Sequence, residues 1–150
     1  MKRGMRLLPT AAMRQCTATA EVAFTELLIA ILAGQKRVTG EDCEDAPATA
    51  RCELGLWHEG EHADYVWDWR EHKPHEGLWA RWTPDGTMRF ESLRHCEISD
   101  GSDDEEACML YRHHPREHSW ALRDPKTDAL RRRVLAEGAG VIERLSSKPN

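Results

Sequence analysis

Cys52 is followed by His58 and His62, and Cys108 by His114 and His118, so the run Cys-x5-His-x3-His occurs twice in 150 residues. Thiolate and imidazole together suit zinc, a borderline-soft ion that structural sites close with four protein ligands in a tetrahedron. A fourth ligand for each triplet is expected upstream. Eight residues separate Cys43 from Cys52, and eleven separate Cys96 from Cys108. Two quartets result, Cys43, Cys52, His58, His62 and Cys96, Cys108, His114, His118, each with two thiolates that neutralise the ion. No tight C-x-x-C knuckle fixes the first cysteine of either quartet. His95, beside Cys96, and His113, beside His114, compete for the same role. Cys16 has no partner in this scheme and reads as a free thiol, while His72 and His75 in "EHKPHEG" read as a solvated loop pair. Carboxylates are abundant but show no calcium-loop spacing.

The stretch "RCELGLWHEGEHAD" resembles a Cys/His module of short actinobacterial and actinophage proteins, in which an upstream Cys precedes C-x-L-P-x-G-H-x-G-x-H. Cys52, Leu54, His58, Gly60 and His62 match it, with Gly55 and Trp57 where that pattern has Pro and Gly. In the second copy Cys108, Leu110, His114 and His118 match, with Tyr111, His113 and Arg116 at the Pro and the two Gly positions. The resemblance covers some 20 to 25 residues per copy. It implies a metal site and an actinobacterial source, and no activity.

The elements that would carry these sites are small. One domain of this length buries a modest core, which metal ions would staple. Residues 1–18 are expected to be a disordered leader. A helix is expected from Ala20 to Ala33 with Thr19 as N-cap, within an N-terminal helical unit spanning 19–37. Phe24, Leu27, Leu28 and Ile31 form its apolar stripe. "TGEDCEDAPATAR" reads as a loop. "DYVWDW", "GLWARW" and "TMRFESL" alternate with period two, and "TPDG" between the last two predicts a hairpin. A first zinc module with this hairpin would occupy 43–94, and a second zinc module 95–124. A C-terminal helix at 127–146 would start at Asp128, capped by Thr127, with Leu130, Val134, Leu135, Gly138, Val141, Ile142 and Leu145 on one face. The fold class is then a small α+β protein: two zinc-stapled β-rich modules flanked by terminal helices, which pack together or form a homodimer.

Composition narrows the function. The formal charge is -5, distributed as +2 over residues 1–42, -10 over 43–124 and +3 over 125–150. No run reaches the roughly 18 apolar residues of a membrane span. Glu26 inside "EVAFTELLIAILAG" argues against a signal peptide, and the Cys/His pairing favours a reducing, cytoplasmic setting with metal over disulfides. Closed sites point to a protein-interaction or regulatory module with two structural zinc ions and an acidic, tryptophan-rich surface. The acidic run Asp100, Asp103, Asp104, Glu105, Glu106 would suit a basic partner surface. Nucleic-acid binding is the alternative, opposed by the acidic centre and favoured only by Arg131, Arg132 and Arg133. A zinc hydrolase is a second alternative. It would need Cys43 or Cys96 to be absent from its site, with Glu59 or Glu117 as base.

Overall fold

The computed structural model describes residues 13–103, 105–124, 126, 129–130 and 132–138. In chain order the elements are β1 (Met13–Arg14), β2 (Thr19–Glu21), α1 (Phe24–Gly34), α2 (Gly40–Asp45), β3 (Thr49–Arg51), β4 (His62–Asp68), β5 (Glu76–Trp82), β6 (Met88–Arg94) and β7 (Leu122–Arg123). The class is small α+β, as the sequence implies.

The antiparallel meander β4-β5-β6 is the central sheet. Its hairpin closes at the expected turn: Trp82 pairs with Met88, Gly86 takes a left-handed φ of 88°, and the Asp85 carboxylate accepts from the Thr87 N–H at 2.9 Å. β5 departs from the simple alternation, because Gly77, Leu78, Trp79 and Ala80 are buried in succession. A central strand covered on both faces has no solvent side to leave polar. On one face Trp79 meets Tyr111 edge-on, with ring centroids 5.2 Å apart. Trp69 is buried under α1, its indole N–H donating to Ser92 Oγ at 3.1 Å.

The N-terminal region differs from expectation in two ways. Residues 13–18 are ordered structure and not leader: β1 pairs in parallel with β7, and the Cys16 N–H donates to the Leu54 carbonyl at 2.7 Å. Thr19 does not cap a helix, because Thr19–Glu21 form a strand pairing antiparallel with Thr49–Arg51. The helix therefore starts later, after Ala23, which makes no side-chain cap bond. Leu27 and Ile31 of the expected stripe are buried and Phe24 is half exposed. The supposed loop at 39–51 contains α2, begun by a capping box in which Thr39 and Asp42 satisfy each other's backbone N–H groups. The C-terminal helix is present at its described positions 126, 129–130 and 132–138, with Leu130, Val134 and Leu135 exposed. Its expected cap Thr127, its start at Asp128, and Val141, Ile142 and Leu145 lie outside the described residues.

Gly34 ends α1 where a Cβ would stand 2.1 Å from the Trp69 ring. Gly34→Ala should destabilise the protein by about 1–3 kcal/mol through this overlap, as overpacked cores do. Urea unfolding at fixed metal loading measures it, and an unchanged midpoint would show that helix and indole are not packed this closely.

Candidate metal centres

Each centre is built on one turn of backbone, used twice. In the first, the Gly55 carbonyl accepts the His58 N–H at 3.1 Å. In the second, the Tyr111 carbonyl accepts the His114 N–H at 3.2 Å. Leu54 and Leu110, two residues after Cys52 and Cys108, are fully buried and anchor these turns. An incoming strand crosses each turn antiparallel, and here the two copies correspond bond for bond. Cys16 N–H donates to Leu54 O and Leu56 N–H to Arg14 O, as Cys96 N–H donates to Leu110 O and Arg112 N–H to Arg94 O. Cys52 N–H donates to Ala18 O, as Cys108 N–H donates to Ile98 O.

The turns also require left-handed backbone at equivalent places. Trp57 has φ 68° and Gly60 φ 79°, and their counterparts His113 and Arg116 have φ 64° and φ 59°. Glycine enters this region without a Cβ penalty. Trp57, His113 and Arg116 carry the conformation at a cost of about 1–2 kcal/mol each.

The donor atoms converge as two four-membered groups, Cys16, Cys52, His58, His62 and Cys96, Cys108, His114, His118, all within 4.8 Å of one another in each group. Cys43 is the correction. It sits half-buried on α2 and outside the first group, and Cys16, expected to be a free thiol, takes the place assigned to it. Matching the two copies by loop length selected the wrong cysteine, since the first loop is 35 residues long and the second 11. A usable signal lay next to the cysteines: "MRQC" ending at Cys16 and "LRHC" ending at Cys96 share an apolar residue, an arginine and a polar residue. Their backbones make the same bonds. His95 and His113, the competing candidates, stand beside the second group and not within it.

Distances agree between the centres. Cys16 Sγ lies 3.6 Å from His62 Nδ1 and Cys52 Sγ 3.5 Å from His58 Nε2, with 3.1 Å between the imidazole nitrogens. The second centre has 3.4, 3.5 and 3.1 Å for the same atom pairs. A tetrahedral ion with bonds of about 2.3 Å to sulfur and 2.0–2.1 Å to nitrogen would impose roughly 3.5 Å and 3.3 Å on these edges. The donor set fits a metal ion.

The surroundings prepare the ligands. His58 Nδ1 lies 3.3 Å from the Glu59 carbonyl and His114 Nδ1 3.3 Å from the Pro115 carbonyl, so each ring can hold its proton there and leave Nε2 bare for a metal. Burial lowers the pKa of His62 and of His114, which favours the neutral, ligating form. Burial pushes the Cys52 thiol up to about 12, and Cys16 nearby opposes a second thiolate. Without a cation the Cys52 sulfur would stay protonated. Trp82 packs on His62 at 5.4 Å and Trp120 stacks on His118 at 5.2 Å, fixing the last ligand of each centre.

The two centres are joined through their turns. A side chain at Gly55 would come 3.1 Å from Glu117 and 3.2 Å from Leu122, so glycine lets the second turn lie against the first. Gln15 N–H donates to Arg123 O at 2.8 Å, and Arg51 pairs with Asp124 at 2.7 Å across the same seam. A cleft there contains Glu53 and Asp64. Burial pushes Glu53 up to about 7 and Asp64 up to about 6, although each accepts a backbone N–H. His72 and His75 belong to neither centre, and His75 faces Glu97 at 3.1 Å.

No protein-family model matches the chain, and no curated protein or solved structure matches it either. Among the described residues no helix is long and apolar enough to cross a membrane.

The exchange of cysteines gives a direct test. Cys16→Ser should lower the melting temperature of the metal-loaded protein by on the order of 10 °C, because it removes a ligand from a site whose binding energy is folding energy. Cys43→Ser should stay within about 0.5 kcal/mol of the parent, as surface changes do. The reverse order of effects would restore Cys43 to the site.

Proposed function

We propose that the chain is a structural-zinc protein: two closed Cys2His2 sites each hold one zinc ion and make a rigid interaction module from a chain with a small core. The observation that carries this reading is the pair of complete quartets on a shared backbone frame, with edge lengths suited to a tetrahedral ion. Zinc is favoured over harder ions by the thiolates, and a donor set filled by protein suits a structural site and not a substrate-binding one. The function is then presentation of surface to a protein partner. The acidic loop carrying Asp100, Asp103, Glu105 and Glu106 and the exposed Trp57 supply contact groups.

The hydrolase alternative depended on a missing first cysteine. Cys16 within the first group and Cys96 within the second count against it, since each zinc would have four protein ligands and none exchangeable. Nucleic-acid binding of the zinc-finger kind finds little support in a middle segment of charge -10.

Cobalt substitution tests the closed reading. Both sites should give the intense visible absorption of a tetrahedral ion with two thiolates, unchanged by added hydroxamate or azide, because protein fills every position. Acidification should release the metal and unfold the chain together, since thiolates and neutral imidazoles become protonated as pH falls. A spectrum that shifts with added ligand while the fold persists would reveal an open position and return the enzymatic reading.

A further inference from the structure

The two centres share their ligands and their backbone frame, so the side chains around them show what each has been fitted to do. Leu56, Trp57 and Gly60 stand on the first turn where the second has Arg112, His113 and Arg116, and Gln15 stands where the second has His95. The substitutions replace neutral groups with cationic or imidazole groups on one centre alone. They line a cleft of about 560 Å³ over the second quartet. Arg112 and Arg116 are exposed there, and among the described residues neither guanidinium has a carboxylate partner. Arg51, Arg81 and Arg89, in contrast, are all engaged in ion pairs.

The backbone adds an independent reason to regard this cleft as built. Arg116 has φ 59° at a position where the first turn has Gly60, and His113 has φ 64°. Glycine would be the comfortable residue at both; Trp57 bears the same conformation as His113, so Arg116 in place of Gly60 is the strained position peculiar to this cleft. We propose that this cleft binds a phosphate group, held between the Arg112 and Arg116 guanidinium forks. Two guanidiniums offer paired donors that match the oxygens of a tetrahedral oxyanion, and they remain charged at every physiological pH.

The acidic loop does not cancel this site. Hydrogen-bonded rungs run from Arg112–Arg94 through Leu110–Cys96 and Cys108–Ile98 to Glu106–Asp100. None of Asp100, Asp103, Glu105 and Glu106 lines the cleft. The one carboxylate lining the cleft, Glu97, faces His75 at 3.1 Å.

The inference rests on the second quartet being metal-filled, so the metal content of each sample is measured before any titration; failed loading and failed anion binding are thereby separate results. The probes are inorganic phosphate and a short single-stranded oligonucleotide, followed by amide chemical shifts of labelled, metal-loaded protein. Phosphate should shift the signals of residues 112–116 and leave those of residues 56–60 in place. Arg116→Gly should keep or raise the melting temperature, since φ 59° suits glycine, and the pair Arg112→Gln with Arg116→Gly should weaken binding at least tenfold. Equal affinity for the two probes would identify a free phosphate or small phosphate ester as the ligand, and much tighter, salt-sensitive oligonucleotide binding a phosphodiester. Either would sustain the site if the double variant loses it. No shift at residues 112–116 with either probe, or shifts that survive in the double variant, would overturn it.

Discussion

The structure depends on the crossing of the Cys16 strand over the Cys52–His58 turn. Backbone hydrogen bonds set the crossing, and the four donors Cys16, Cys52, His58 and His62 converge beneath it. Once the Cys16 segment is held there, Thr19–Glu21 must continue alongside Thr49–Arg51, and α1 can begin only after Ala23. Met13 and Arg14 are brought beside Leu122 and Arg123, so both ends of the described β-structure close on one seam. Magnitudes show what an ion would contribute. Structural zinc contributes about 10–16 kcal/mol of apparent binding energy in isolated finger peptides, whereas a whole domain is stable by about 5–15 kcal/mol. A filled site would therefore contribute on the scale of a domain's whole net stability, beside the small core around Trp69, Trp79, Leu27 and Ile31.

The meander β4-β5-β6 works as a spacer between two copies of the same device. β4 begins at the ligand His62, and β6 ends at Arg94, two residues before the ligand Cys96. Trp82 closes one end against His62, and Trp79 meets Tyr111 of the second turn. Trp82 thus couples the sheet to a ligand directly, and Trp79 couples it to the second turn. With the frame held constant, the copies are free to differ in what they display: Leu56 and Trp57 on one, Arg112 and Arg116 on the other.

Much of this was legible in the residues. The repeated Cys-x5-His-x3-His run identified six of the eight donors, because both histidines and the second cysteine lie on one short turn whose spacing is local. The hairpin was legible for the same reason, since Thr83–Gly86 is a local turn signal between period-two strands. Cys96 was legible as the seventh donor, but Cys16 was not, because its approach is set by tertiary pairing, which places no limit on loop length: 35 residues in the first copy against 11 in the second. The start of α1 was missed through the same cause. Thr19 is a good N-cap locally, but its backbone is committed to pairing with Arg51. The identity of the partner has no local signature at all.

On the reading proposed above, two metal ions, one in each quartet, hold this fold together. Elemental analysis of the folded, desalted protein tests it most directly. The account predicts two equivalents of zinc per chain, falling to one when Cys16 or Cys108 is replaced by serine. A cooperatively folded sample that carries no bound metal would contradict it.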